Sequence, residues 1–167
     1  RIQDVRLAVT MDAKHPGDLV YVLGATYPEL GASEYHARYN YIGNNIPKVR
    51  MKDALARYRA LTDAIYQGIV SSCHDCSDGG LGISLAEVAF SGDLGMVIDL
   101  GAVIAKDIDR LDTLLFSESQ SRFVVTIRKE HQQSFENTMG DTGCAMVGEV
   151  IRKPAFTLEC SGKIVVN

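Results

Sequence analysis

Strand-length and helix-length apolar patterns follow one another irregularly along this chain, and their order restricts the fold more than any single motif does. Alternation predicts a first strand through Ile2, Val5, Leu7 and Val9, and a second over 19–24, which we expect to pair as a hairpin. Further strands are predicted over 95–100, 123–127, 145–151, 156–159 and 163–166, with helices opening near 29–35 and spanning 52–70, 81–90, 108–115 and 130–139. Because hairpins and strand–helix–strand units are mixed, we expect an α/β sandwich with a mixed sheet rather than a doubly wound parallel sheet.

Length and charge restrict the number of domains and the class of partner. A chain of 167 residues with 46% hydrophobic and 23% charged residues fits one packed domain, 1–167. The net charge of -4 provides no broad basic field, which argues against nucleic acid or an anionic membrane as the partner. No apolar run is long enough to span a membrane, so a cytoplasmic location is predicted. The chain starts at Arg1 with a strand-like pattern, from which we expect a domain excised from a larger protein, although removal of a leader or a tag would give the same start.

The four cysteines are expected to be reduced thiols, since a chain of this size does not need disulfides for its core. Cys73 and Cys76 have the C-x-x-C spacing of redox and zinc sites. A structural zinc site would need a second pair of ligands nearby, and the sequence offers none. We therefore favour two small residues flanking a turn.

The segment from His74 to Leu81 carries the strongest chemical signal. Its adjacent glycines, Gly79 and Gly80, would let the backbone approach a ligand, and the helix that follows would direct its first N–H groups at a phosphate. Asp75 and Asp78 would repel a bare phosphate. At least one of them should therefore act through a divalent cation or cap the helix.

A second polar cluster, 117–122, lies between two apolar elements. Three hydroxyls, a carboxylate, an amide and the guanidinium of Arg122 could grip a ribose or a phosphate by hydrogen bonds. The alternative is a solvated loop between a helix and a strand, and spacing alone favours that alternative.

Four segments in a fixed order resemble one protein family: 17–24, 30–35, 74–87 and 115–125. Together they resemble the C-terminal domain of phosphoribosylformylglycinamidine synthase, synthetase subunit, with Ala32 replacing a glycine. This domain belongs to the aminoimidazole ribonucleotide synthetase superfamily, and the resemblance runs from about residue 10 to the end of the chain.

The resemblance implies a three-layer α/β/α sandwich with a mixed sheet, within the broad α/β (α+β) class. It also implies a ligase of purine synthesis that converts formylglycinamide ribonucleotide, ATP and glutamine-derived ammonia to formylglycinamidine ribonucleotide, with Mg2+ accompanying the nucleotide. The implied partners are the N-terminal domains of the same subunit, a glutaminase and small accessory subunits. The family's catalytic histidine lies in N-terminal domains, so no catalytic residue is predicted here and the chain alone is expected to be inactive.

The resemblance also implies site residues. Ser77 and Ser121 indicate the second of two domain copies, whose site is implied to hold an auxiliary nucleotide that does not turn over. Asp75 is the implied magnesium ligand, and Asp78 is the implied cap or turn residue. The implied substrate- or nucleotide-binding residues are Ser77, Asp78, Gly79, Gly80, Glu118, Ser119, Gln120 and Arg122.

Two alternatives remain. The domain could be a structural buttress with a vestigial site. It could also belong to another member of the superfamily: aminoimidazole ribonucleotide synthetase, thiamine monophosphate kinase, selenophosphate synthetase or a hydrogenase maturation factor. The composition of the 117–122 loop argues against those relatives.

Overall fold

A computed structural model describes residues 4–167 and shows one mixed sheet of seven strands. The strands are β1 (Leu19–Leu23), β2 (Ser72–Asp75), β3 (Gly95–Asp99), β4 (Phe123–Ile127), β5 (Cys144–Ile151), β6 (Phe156–Cys160) and β7 (Lys163–Val166). The helices are α1 (Glu34–Ala37), α2 (Met51–Tyr66), α3 (Gly80–Ser91), α4 (Leu111–Phe116) and α5 (Gln132–Met139). Short 3-10 turns cover Val5–Leu7, Leu100–Ala102 and Lys129–His131.

The strand order is β2-β4-β1-β5-β3-β6-β7, which places β2 at one edge of the sheet. β3 and β6 pair in parallel, and the other neighbouring strands pair antiparallel. Neighbouring strands are therefore mostly distant in sequence, as a sheet crossed by connecting helices requires. The mixed sheet predicted from the sequence is confirmed.

Apolar residues cover both faces of this sheet, so the fold has three layers. On one face, Val20, Val22 and Val124 pack with residues of α3 and α4. On the other face, Tyr21 and Val125 pack with residues of α2 and α5. All five residues of β1 are buried, as expected of a central strand covered on both sides. The three-layer α/β/α sandwich implied by the resemblance is confirmed.

The prediction for the N-terminal segment is wrong. Residues Val5–Leu7 form a 3-10 turn, in which the Asp4 carboxylate accepts a 2.9 Å hydrogen bond from the backbone N–H of Arg6. This local hydrogen bond competes with an extended backbone conformation. Val5 is 80% exposed, so burial of its side chain does not favour a strand there. The predicted hairpin is also wrong, since β1 pairs with β4 and β5. Ile2 lies outside the described residues.

The other predicted elements are present with shifted ends. The helix predicted over 52–70 ends at Tyr66, because Gly68 turns the chain out of the helix with φ +71. The helix expected near 29–35 begins only at Glu34, where the Ser33 side chain caps it. The helix predicted over 108–115 is α4, at 111–116.

The four cysteines are free, and Cys76 is buried. Burial raises the pKa of the Cys73 thiol to about 12, which keeps it protonated and unreactive. Within residues 4–167, no group of three or more His, Cys, Asp or Glu side chains is arranged to hold a metal ion. None of the described helices is both long and apolar enough to cross a membrane.

Candidate functional site

Strand pairing brings the two polar segments of the sequence together. β2 and β4 are antiparallel neighbours, and Asp75 at the end of β2 lies opposite Phe123 at the start of β4. The pairing continues one residue further, where the Cys76 N–H donates a 2.9 Å bond to the Arg122 carbonyl. The turn that follows β2 and the loop that precedes β4 therefore leave the sheet at the same end.

These segments line a cavity of about 430 Å3. The predicted site residues that line it are Asp75, Ser77, Asp78, Glu118, Gln120 and Arg122. We call it the Asp75 cavity. Its carboxylates come from both segments, so it is acidic and a phosphate group would need a cation to enter it.

Glu118 ties the loop to the turn. One oxygen of its carboxylate, Oε1, accepts hydrogen bonds of 2.9 Å from the backbone N–H of Gly79 and from that of Glu34. These N–H groups stand at the starts of α3 and α1, where a helix has no internal acceptors. Glu118 is therefore a shared cap for two helices.

Of the two roles predicted for Asp78, cap or turn residue, the structure shows the turn and not the cap. The N-cap of α3 is Gly79, and no side chain of its own segment caps the helix. Asp78 lies in the turn before it, and its carboxylate makes no hydrogen bond within the described residues. The cap instead comes from Glu118, 39 positions away in sequence.

Replacing Glu118 with alanine is expected to lower the free energy of unfolding by about 2 kcal/mol, because a capping contact contributes about 1 kcal/mol and Glu118 makes two. Glu118→Gln keeps an oxygen acceptor and should recover at least half of the loss. Urea unfolding at pH 7 followed by circular dichroism measures both variants. Equal stability of the alanine variant and the parent protein would contradict the shared cap.

Gly79 and Gly80 have a role in packing, in addition to the ligand-binding role predicted for them. A Cβ atom at Gly80 would lie 2.5 Å from the Ser117 carbonyl oxygen, so this face of the helix start is pressed against the loop. The N–H of Gly79 is already bonded to Glu118. Binding of a ligand by Gly79 and Gly80 remains a prediction, and neither residue lines the Asp75 cavity.

Arg122 and Ser119 hold the loop in shape. Arg122 is 1% exposed, and its guanidinium donates to the carbonyls of Ser117 and Ser119 and to the hydroxyl of Thr26. Ser119 is fully buried, and its hydroxyl accepts a 3.0 Å bond from the Tyr27 N–H. Both side chains position the loop, and their contact with a ligand remains a prediction.

Asp75 is the carboxylate best placed to meet a ligand. Its side chain is 68% exposed, and the Ser77 hydroxyl donates a 2.7 Å hydrogen bond to its Oδ2. Mg2+ is usually bound by one or two carboxylates together with waters and substrate phosphates. Asp75 and Asp78 fit that pattern, whereas they do not form a cage that would hold the ion alone. His74 instead pairs with Glu87 of α3 at 2.8 Å, a structural contact.

Two aromatic residues of the cavity were not predicted as site residues. Tyr58 of α2 and Phe123 line it, with their rings edge to face at 5.8 Å between centroids. The Tyr58 hydroxyl lies 2.7 Å from the Ser121 hydroxyl. Both positions fit apolar periodicities, which explains why the sequence indicated only core residues there.

Comparison with protein families agrees with this architecture. A family model described as AIR synthase related protein, C-terminal domain, matches residues 15–161, which is most of the chain. The chain belongs to this family. The phosphoribosylformylglycinamidine synthase subunit PurL of Methanobrevibacter smithii is 32% identical to this chain over 154 residues. The alignment covers 89% of this chain and only 21% of that protein.

Solved structures establish the same fold at lower sequence identity. PurL of T. maritima complexed with FGAR superposes with a TM-score of 0.84 at 20% identity, over 97% of this chain and 28% of that one. E. coli HypE superposes with a TM-score of 0.69 at 17% identity, over 95% of this chain and 52% of that one. The chain thus corresponds to one unit of larger proteins.

Proposed function

We propose that this chain is the C-terminal domain of a cytoplasmic phosphoribosylformylglycinamidine synthase, a ligase of purine synthesis. In the whole enzyme it would act with N-terminal domains of the same subunit, a glutaminase and small accessory subunits on formylglycinamide ribonucleotide, ATP and ammonia. Its own part is to bind a magnesium nucleotide or phosphate at the Asp75 cavity without turnover. The relative at 32% identity supports this assignment, and PurL of T. maritima has been solved with ATP, ADP and FGAR.

The observation that carries the proposal is the convergence of the two polar segments on one cavity. Residues 75–78 and 118–122 are some forty positions apart, yet strand register and the Glu118 contacts place them against each other. A loop that only connects a helix to a strand in solvent is not expected to line a cavity together with a second polar turn. Hydroxyls, amide and carboxylates at one site suit a hydroxylated, phosphorylated ligand.

The charge of the cavity supports a magnesium-bound ligand over a free anion. Asp75, Asp78 and Glu118 line it, whereas the guanidinium of Arg122 is turned into the loop. A bound Mg2+ would neutralise phosphate oxygens and bring them to these carboxylates. Asp75 and Asp78 are the residues that would hold it.

One set of contacts favours the structural buttress as a second candidate. Glu118, Ser119 and Arg122 each use their polar atoms within the protein, so three of the predicted binding residues have an internal role. A vestigial site would keep these contacts and lose the ligand. The two candidates differ in whether Asp75 affects binding; its internal contacts are the Ser77 hydroxyl and, at 3.9 Å, the His74 imidazole.

Isothermal titration of magnesium-ATP into the chain separates them. We expect binding that Asp75→Asn weakens by about tenfold or more, since a charged contact contributes about 1.5–3 kcal/mol. The matched control is Asp63→Asn, on an exposed position of α2 that does not line the Asp75 cavity. Heats that are the same for parent, Asp75→Asn and Asp63→Asn would favour the buttress, and ammonia-dependent phosphate release by the chain alone would contradict its expected inactivity.

A further inference from the structure

Asp78 and Gly79 form a chemically reactive step in the backbone. Of all the aspartate and asparagine residues in the chain, only Asp78 is followed by a glycine. Because glycine has no side chain to hinder approach to its nitrogen, this is the step at which a backbone nitrogen most readily attacks a side-chain carboxyl group. Asp78 is exposed, and its carboxylate accepts no hydrogen bond within residues 4–167.

The reaction rearranges the backbone and needs no reactant other than water. The Gly79 nitrogen forms a bond to Cγ of Asp78, and its proton leaves with the hydroxyl of the protonated carboxyl group as water. The product is a five-membered succinimide ring. A water molecule then opens the ring, and attack at the backbone carbonyl leaves Gly79 joined through Cγ. The resulting residue is isoaspartate, and the mass of the chain is unchanged.

The folded backbone holds the two reacting atoms apart. Gly79 has φ 79 and ψ -3, and the Gly80 N–H donates a 3.1 Å hydrogen bond to the Ser77 carbonyl. These features indicate a type II turn over 77–80, in which the second residue, Asp78, has a ψ of about +120°. At that angle the Gly79 nitrogen lies away from the Asp78 Cβ atom, so the ring cannot close.

Glu118 keeps the turn in this conformation. The Gly79 N–H donates a 2.9 Å hydrogen bond to Oε1 of Glu118, and Gly79 is buried. The nitrogen can attack only after this hydrogen bond has opened and the turn has rotated. A reaction that needs a rare local opening proceeds at a rate proportional to the population of the open form.

Isoaspartate would not fit the folded turn, because it adds one carbon atom to the backbone between residues 78 and 79. Gly80 is packed so closely that a Cβ atom there would lie 2.5 Å from the Ser117 carbonyl oxygen, and Leu81 after it is fully buried. The start of α3 therefore cannot shift to absorb the added length. The turn must bulge outward instead, which separates the Gly79 N–H from Glu118.

We propose that Asp78 is a modification site at which isoaspartate forms spontaneously, and that the hydrogen bond between Glu118 and Gly79 sets the rate in the folded protein. The site goes beyond the proposed function, since the reaction requires neither a ligand nor a catalyst. Asp78 lines the Asp75 cavity, so the modification would displace one of the carboxylates of that cavity as the protein ages.

Incubation of the full chain at neutral pH, sampled over several weeks, tests the proposal. Isoaspartate is counted by enzymatic methylation and located by a protease that cleaves before aspartate but not before isoaspartate. The parent protein unfolded in guanidinium should form isoaspartate at least about tenfold faster than the folded parent. Folded Glu118→Ala should form it about fivefold faster than the folded parent, since one capping contact is lost at Gly79.

Two control variants separate this local effect from a general loss of stability. Gly68→Ala alters a turn after α2 where nothing lies within 4 Å of the added Cβ atom, and it should convert at the rate of the folded parent. Asp78→Glu cannot close a five-membered ring and should form no isoaspartate at this position. The proposal is overturned if Glu118→Ala converts no faster than the parent, if Gly68→Ala is accelerated equally, or if isoaspartate accumulates at another aspartate instead.

A second measurement decides the matter if Glu118→Ala proves to be unfolded in a thermal melt. Hydrogen exchange of the Gly79 amide in the parent protein requires the same opening as the attack by its nitrogen. The factor by which folding slows this exchange should therefore agree, within about threefold, with the factor by which it slows isoaspartate formation. A Gly79 amide that exchanges freely while isoaspartate formation is slowed would overturn the role of Glu118.

Discussion

Replacing Gly80 with alanine is expected to destabilise the protein by about 3–5 kcal/mol, combining backbone strain with overpacking. Gly80 has φ +70, and a Cβ atom there would lie 2.5 Å from the Ser117 carbonyl and 2.9 Å from that of Leu115. Both contacts are with backbone, which cannot move aside as a flexible side chain can. The start of α3 would have to separate from the loop, and the Glu118 cap at Gly79 would open with it.

Gly68→Ala is the matched control for this effect. Gly68 has nearly the same backbone angle, φ +71, but nothing lies within 4 Å of an added Cβ atom. Its substitution should therefore cost only the strain of the left-handed conformation, about 1–2 kcal/mol. Urea unfolding of both variants isolates the steric part as the difference between them. Equal losses would show that the close packing at Gly80 does not restrain the fold.

The sequence predicts the sheet better than the N-terminal segment, for a physical reason. β1, β4 and β5 carry apolar residues that the tertiary structure buries, so their pattern and their burial agree. The alternation around Val5 has no such burial behind it, and a local bond from Asp4 decides the conformation. The pairing of the strands could not be predicted from the sequence either, because β1 pairs with strands that follow it by about a hundred residues.

At the candidate site, too, features set by local sequence could be predicted, whereas features set by contacts between distant segments could not. The two polar segments could be predicted from their composition, because a run such as 117–122 is unusual between apolar elements. The roles inside them could not, since Glu118 caps helices that begin far from it in sequence. The contribution of Tyr58 likewise depends on how α2 packs against the loop that holds Ser121.

For Arg122, the ligand-binding role predicted from its sequence neighbours differs from the internal role that the structure gives it. As the only fixed positive charge of its loop, it was expected to meet a ligand. The structure buries it among the carbonyls of Ser117 and Ser119 and the hydroxyl of Thr26. Three of its five N–H donors are thus used to shape the loop, with no carboxylate among the described residues as a hydrogen-bond partner.

Arg122→Lys is therefore expected to lower the free energy of unfolding by about 3 kcal/mol or more, although the charge is retained. A lysine cannot direct donors to three acceptors in one plane, so at least one buried acceptor loses its partner. Arg110→Lys is the control, because the Arg110 side chain is 69% exposed and its pairing with Asp112 should contribute less than about 1 kcal/mol. Urea unfolding of the two variants under identical conditions makes the comparison. A loss at Arg122 no larger than that at Arg110 would contradict the positioning role, because a guanidinium that shapes the loop cannot be exchanged for an ammonium at the stability cost of an exposed one.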